Sequence, residues 1–410
     1  HYVPYFTNID KEAKKRGFTT YLPHKSFPML PRELSENICS LKPKVDRLAF
    51  VAKIELDRAT LKPLKEEFFE AIIHSKHRFN YDNIDDILGN GTEGITGAVA
   101  QILAWLLPLQ KMTVKLHEER LKYGFDFRSE ETKLSIDANH LLIDTQIETG
   151  TPSHSLIEEC MLLANQASAK RFTGEGDSIF RIHEPPQLVK IEALLAELAA
   201  IGLYVEEYED SPSLIRAIQK EAERMGLGSE VDAMVIKSLR RASYAAHNVG
   251  HFGLGFSHYS HFTSPIRRYS DLILHRLIKT QLRDEPEEAS YLLRNIEPLC
   301  AKVSELEREA TKAEWDFRDR KFARWAAEHM DEEARRLETW LNQERHGEMS
   351  FLSNHFDKRV DPTKLVPGSK SVISLIYNYY TEEKPNDPLA PKIAMYAQGK
   401  DYHKIVKKKL

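Results

Sequence analysis

The stretch GHFGLGFSHYSHFTSPIRRYSDLILHRLI at residues 250–278 decides how this sequence is read. Glycines, histidines, aromatics and two adjacent arginines precede an amphipathic run, and between Leu227 and Asp284 eight Lys/Arg stand against four Asp/Glu. Ser264 is a good N-cap and Pro265 suits a first helical turn, so the spacing predicts a helix over 265–282 with its positive dipole end beside Arg267 and Arg268. An anion is welcome at such a place. Arginine offers planar bidentate donors to a phosphodiester, and Tyr259, Phe262 and Tyr269 offer faces to stacked bases. A plainer reading stands beside this one: the arginines pair with Asp271 and other acids, and the aromatics are core. The five histidines between Leu227 and Asp284 show neither HxH nor HExxH spacing, which argues against a metal site built from them.

Around this basic patch the chain is slightly acidic. Its 410 residues are 41% hydrophobic, enough for two or three domains, and 58 Lys/Arg against 62 Asp/Glu leave a net charge of −4. No global field favours nucleic acid or an anionic membrane, so any such site is local. Cys39, Cys160 and Cys300 lie far apart without a CxxC, which disfavours a disulfide scaffold and a zinc site and fits a reducing cytoplasm. No apolar run approaches the roughly 18 residues of a spanning helix, so no membrane is expected among the partners. The first residue is His1, not Met, and HYVPYF reads like the end of a strand under way, so the chain is expected to be truncated at its start.

The rest alternates strand and helix signals, which predicts a mixed α/β fold with long helices. Residues 1–80 carry short β-rich runs among prolines, and 84–123 is helical in pattern up to a glycine stop. A strand pair over 133–148, a helix over 155–172 and a strand at 177–186 follow, then helices over 191–203, 212–225 and 229–246. Residues 288–345 read as one or two charged helices, with acids and bases three and four apart. SVISLIYNYY, residues 371–380, is the clearest buried strand. A module boundary is placed near Trp325 to Asp331.

HFTSPIRRYSDLILHR resembles the signature of the ribonuclease II/ribonuclease R family of processive 3′-to-5′ exoribonucleases, and five further blocks follow the family order. They are the segment 16–50, FDFRSEETKL at 125–134, SLIEECMLLAN at 155–165, FRIHEPP at 180–186 and SELEREATKAEWDFRDRKFARW at 304–325. The resemblance covers residues 1–325 and implies an exoribonuclease (RNB-type) domain that hydrolyses single-stranded RNA to nucleoside monophosphates with magnesium. On that resemblance Arg267 matches the arginine gripping the phosphate near the scissile bond, and Tyr21 the tyrosine stacking on the terminal nucleotide. Phe127 matches the aromatic clamping the last bases, Glu159 or its neighbour Glu158 an active-site glutamate, and Glu314, in a looser register, a further acid. For Tyr21 and Phe127 the alternative is core packing, and for Glu158 a solvated helix face. The family's metal-binding aspartates lie in an Asp-rich motif before the segment resembling HYVPYF, and so are expected upstream of His1; no metal ligand is assigned in this chain. Asp85-Asp86 and Glu158-Glu159 are not spaced to replace it. The expectation is therefore an exonuclease domain inactive in this length.

A second resemblance covers residues 328–410, which look like the opening portion of epoxyqueuosine reductase, a cobalamin and iron-sulfur enzyme of tRNA queuosine synthesis. This predicts a small α/β fragment, in which Lys400, Asp401, Tyr402 and His403 are candidates for cofactor or RNA contact and equally for a structural role. Two other functions stay open: a non-catalytic RNA-binding module, and part of a tRNA-modifying reductase.

Overall fold

A computed structural model describes residues 2–91, 95–127, 130–172, 174, 176–205, 208–343, 354, 356–361, 364 and 367. The chain divides into two compact units, residues 1–325 and 326–410. In the first, a short helix α1 (Asn8–Arg16) leads into a small hairpin, β1 (Thr20–Leu22) and β2 (Lys25–Phe27), a π-helical turn at Glu33–Ile38, and a long antiparallel hairpin, β3 (Asp46–Leu56) and β4 (Pro63–His74). Helices α2 (Tyr81–Asn90) and α3 (Gly97–Arg120) precede a second hairpin, β5 (Glu130–Ile136) and β6 (Leu142–Thr149). Helix α4 (Pro152–Lys170), strand β7 (Phe180–Ile182), helices α5 (Leu188–Ala200), α6 (Ser211–Arg224) and α7 (Gly228–Ser238), and strand β8 (Ser243–Ala245) follow. Helices α8 (Tyr269–Arg283) and α9 (Pro286–Leu293) follow, α10 (Ile296–Asn342) runs past residue 325, and the second unit adds α11 (Phe356–Val360). The fold is mixed α/β, as the alternating signals imply.

The main core forms where α4 and α8 meet the β3–β4 hairpin. Helix α8 buries Ile273, Leu274, Leu277 and Ile278, spaced to fill one face. Full burial of each such side chain is worth about 1.5–3 kcal/mol. Phe50 of β3 and Phe68 of β4 close on Phe262, with ring centroids 5.8 and 5.4 Å away. A second cluster joins α5, α6 and α7 around Leu198, Ile215, Ile218 and Val235, with Phe125 packed into it. Helix α4 begins at Pro152, and its first turn is capped from α2, where Asp85 accepts the Ser153 amide at 2.9 Å and the Ser153 hydroxyl at 2.7 Å. Asp85 is thus a cap.

Four expectations are corrected. The opening HYVPYF is not the end of a strand: the first regular element is α1, whose N-cap Thr7 is extended and accepts the Asp10 amide, and β1 begins only at Thr20. The helical run over 84–123 is two helices with a break between them. The run over 229–246 stops at Ser238, because residues 243–245 pair antiparallel with β7 and put Tyr244 into the core. The helix expected from 265 starts at Tyr269. His1, the strand expected at 371–380 and residues 400–403 lie outside the described residues.

Candidate functional site

The loop ahead of α8 is built on glycines. Gly255 has φ +69°, and a Cβ there would stand 2.5 Å from the Gly124 amide nitrogen, so the loop lies directly against residues 123–124. Further on, Ser264 opens one turn, accepting the amides of Arg267 and Arg268, and the chain then straightens. Arg268 is extended (φ −134°, ψ 124°) because its backbone bridges Phe18, while Thr19 donates to the Arg267 carbonyl at 3.0 Å and Tyr269 to the Gly17 carbonyl at 2.8 Å. This pairing stops the helix from starting at Pro265.

It also separates the two arginines. Arg268 turns inward and forks onto the fully buried Asp271 at 2.9 and 2.8 Å. The same carboxylate accepts the Ser264 amide at 2.8 Å and the Ser270 hydroxyl at 3.0 Å. Arg268 is therefore corrected from RNA contact to structural ion pair. Arg267 is exposed, and among the described residues its guanidinium has no ion-pair or hydrogen-bond partner. The aromatics are corrected as well. Tyr269 is 2% exposed and donates its hydroxyl to Asp10 at 3.0 Å; Tyr259 is buried, its oxygen accepting from Asn165 at 3.1 Å. Phe262 stacks into the core against His275, 4.3 Å between rings. None of these three rings has a face left for a base.

Tyr21 has one. It is 53% exposed on β1, two residues beyond Thr19, and its amide donates to Glu314 of α10 at 2.9 Å. Tyr21 is thus tied to Glu314 directly and to the Arg267 backbone through Thr19, two residues before it. Behind them Arg181 pairs with Glu307 at 2.6 Å and lies 4.8 Å from the Tyr244 ring, and the Tyr244 hydroxyl and His261 Nδ1 share a hydrogen bond of 2.8 Å. Burial, with Arg268 and Arg181 nearby, holds the His261 pKa well below the usual histidine range, so its ring is neutral.

Phe127 and Glu159 form a second group. Glu159 is 3% exposed and is consumed by neighbours: it accepts from Arg120 Nε at 3.0 Å and lies 3.0 Å from His117 Nδ1. Glu158 beside it is exposed; desolvation raises its pKa, and Arg120 partly offsets this. Phe127 is half-buried, following Asp126, with its ring edge-on to Phe125 at 5.3 Å. A run of rings leads from here toward the first group: Phe125 to Phe252 at 5.3 Å, Phe252 to His183 at 5.8 Å, His183 to His251 at 5.1 Å, and His251 to Tyr259 at 5.2 Å. A cleft of about 580 Å³ opens over this run, walled by Tyr123, His183, His251, Phe252 and Phe256. Arg120, Asp126, Arg181 and His261 were not singled out from the sequence. Arg120 and Arg181 draw their meaning from Glu159 and Glu307, remote in the chain, Asp126 from Arg120 in turn, and only the excess of basic and aromatic residues after 227 hinted at His261.

Among the described residues, which begin one position after His1, no group of three or more His, Cys, Asp or Glu side chains could hold a metal ion. Glu158, Glu159 and Glu314 do not form a site that fits magnesium.

Residues 1–284 match the RNB domain, and the chain belongs to the RNB-domain family. Among its relatives is Ribonuclease R of Helicobacter pylori, 38% identical over 81% of this chain and 51% of that protein. The chain spans about half the length of that relative. The apo form of Mycoplasma genitalium RNase R superposes with a TM-score of 0.76 at 27% identity, covering 80% of this chain and 52% of that one. The same enzyme in complex with ribose methylated single-stranded RNA gives 0.75 at 26% identity, with coverages of 80% and 52%. Residues 359–410 match Epoxyqueuosine reductase QueG, DUF1730, so the likeness read in the second unit is also found. Among the described residues no helix is long and apolar enough to cross a membrane.

Proposed function

We propose that this chain is the RNA-holding part of a cytoplasmic 3′-to-5′ exoribonuclease and grips the 3′ end of single-stranded RNA at the edge formed by Arg267, Tyr21 and Glu314. The observation that carries the reading is the exposed Arg267 guanidinium, without an ion-pair or hydrogen-bond partner among the described residues, on a turn whose carbonyl accepts from Thr19, two residues before the exposed Tyr21. A free guanidinium forks onto a phosphate, and a neighbouring ring stacks on the base attached to it. Phe127 supplies a second stacking ring, and Glu158, the exposed acid of α4, feels the charges of Arg120 and Asp126. Glu314 orients Tyr21 through its amide, while Glu159, buried and held by Arg120 and His117, is turned away from solvent. The complexes of the Mycoplasma genitalium enzyme with ribose methylated single-stranded RNA and with double-stranded RNA support RNA as the ligand.

Hydrolysis in a two-metal reaction needs converging carboxylates, which the described residues do not supply. Magnesium is the cofactor of the family reaction; this chain is assigned binding without turnover. The test compares a linear single-stranded RNA with a circle of the same sequence, in anisotropy titrations and in a magnesium digestion. Tighter binding of the linear form, with the RNA left intact, is expected. Equal affinity for the circle would overturn the 3′-end reading, and release of nucleoside monophosphates would overturn the assignment of binding alone.

A further inference from the structure

We propose that Arg120 is a positioning residue that fixes Phe127 on the RNA path through the carboxylate of Asp126, an inference that rests on Phe127 as a base-stacking ring. Arg120 ends α3 with a side chain 2% exposed. Its two terminal nitrogens fork onto Asp126, at 2.8 and 3.1 Å, while its Nε holds Glu159 at 3.0 Å. His117, one turn earlier, lies between the same two carboxylates, 3.0 Å from Glu159 and 3.4 Å from Asp126. The backbone around the fork is pinned as well. The Gly124 amide donates to the Arg120 carbonyl at 2.9 Å, the Phe125 amide to Gly253 at 3.0 Å, and Gln219 Nε2 to the Asp126 carbonyl at 2.7 Å. Asp126 is thus held at its side chain from α3 and at its carbonyl from α6, and Phe127 is the next residue.

Burial alone does not explain the pair. The Asp126 side chain is 41% exposed and water could solvate it, so its fork onto a buried arginine serves geometry more than charge compensation. A buried ion pair kept for stability alone is replaceable by apolar residues at little cost. A planar bidentate fork, by contrast, fixes direction. A stacking ring held in its bound orientation before the base arrives loses little entropy on binding, and this is what the fork provides.

The test uses the full chain, with 5′-fluorescein oligoadenylate carrying 2-aminopurine at its 3′ end, and separately the chain labelled with 4-fluorophenylalanine. On wild type the base fluorescence is quenched by stacking; Asp126→Ala is expected to lose about half the quench or more, as Phe127→Ala does, while its anisotropy midpoint moves less than about threefold. In the fluorine spectrum, the Phe127 resonance is identified by its loss in Phe127→Leu. It is expected to sharpen and move to the position of a solvated ring in Asp126→Ala, and likewise in the double variant R120M/E159Q, which leaves no buried charge alone. A wild-type quench and a wild-type resonance in these variants would overturn the inference. If the wild-type chain binds no RNA, the functional reading falls, and the fluorine line alone decides the role of Arg120.

Discussion

Arg267 and Arg268 are neighbours with opposite fates, and the difference is measurable as stability. Removing Arg268 leaves Asp271 buried and uncompensated, which commonly costs about 3–5 kcal/mol, whereas an exposed side chain without partners changes stability by about 0.5 kcal/mol or less. Thermal melts of Arg268→Ala and Arg267→Ala should therefore separate widely, with only the first lowered. The sequence could not tell the two apart. With Ser264 taken as the cap both lie in one helical turn, and the pairing that turns one inward comes from Phe18, 250 positions earlier. Glu159 was legible only as one of two neighbouring acids, because the partner that separates it from Glu158, Arg120, lies 39 positions away. Two half-buried imidazoles give a pH dependence. Desolvation lowers the His275 pKa to about 4 and takes His251 to about 3, against an ordinary value of 6.5. Between those values and 6.5 the unfolded chain binds a proton that the folded chain refuses, so the stability present above pH 6.5 is lost as pH falls, by about 1.4 kcal/mol per unit per histidine. Melting at pH 5 and pH 7.5 should show it. His275→Gln, which keeps a donor for the Phe262 carbonyl, should flatten the slope.

At the scale of elements the glycine-rich loop is the piece most exposed to change. Gly255 and Gly226 both have positive φ, +69° and +71°, but a Cβ at Gly226 meets nothing within 4 Å, while one at Gly255 meets the backbone of Tyr123 and Gly124 below 3 Å. Alanine at Gly226 should cost only the backbone strain, about 1 kcal/mol, while Gly255→Ala adds a clash that only movement of the loop or of residues 123–127 relieves. Denaturant midpoints of the two variants check this, the second falling well below the first. Local patterns set most elements: the apolar spacing of α4, α6 and α8, the turn-bounded strands of β5 and β6, and the charged face of α10 are all visible in the sequence. Strand β8 is not. Its three residues continue a helical pattern, and only pairing with β7, about sixty positions back, overrides it.

For the whole molecule, a net charge of −4 leaves RNA affinity to a small local patch, so binding should be weak and steep in salt. The mixed α/β class and the family were legible because six blocks stand in order. The depth of each block was not, which is why three aromatics expected at a surface lie in the core. The most direct measurement is an anisotropy titration of 5′-labelled single-stranded RNA against wild type and Arg267→Ala across a range of salt. The account predicts a loss of about 1–3 kcal/mol in binding and a salt slope shallower by about one for the variant, with its melting temperature unchanged. An affinity and a slope equal to wild type at low salt would contradict it.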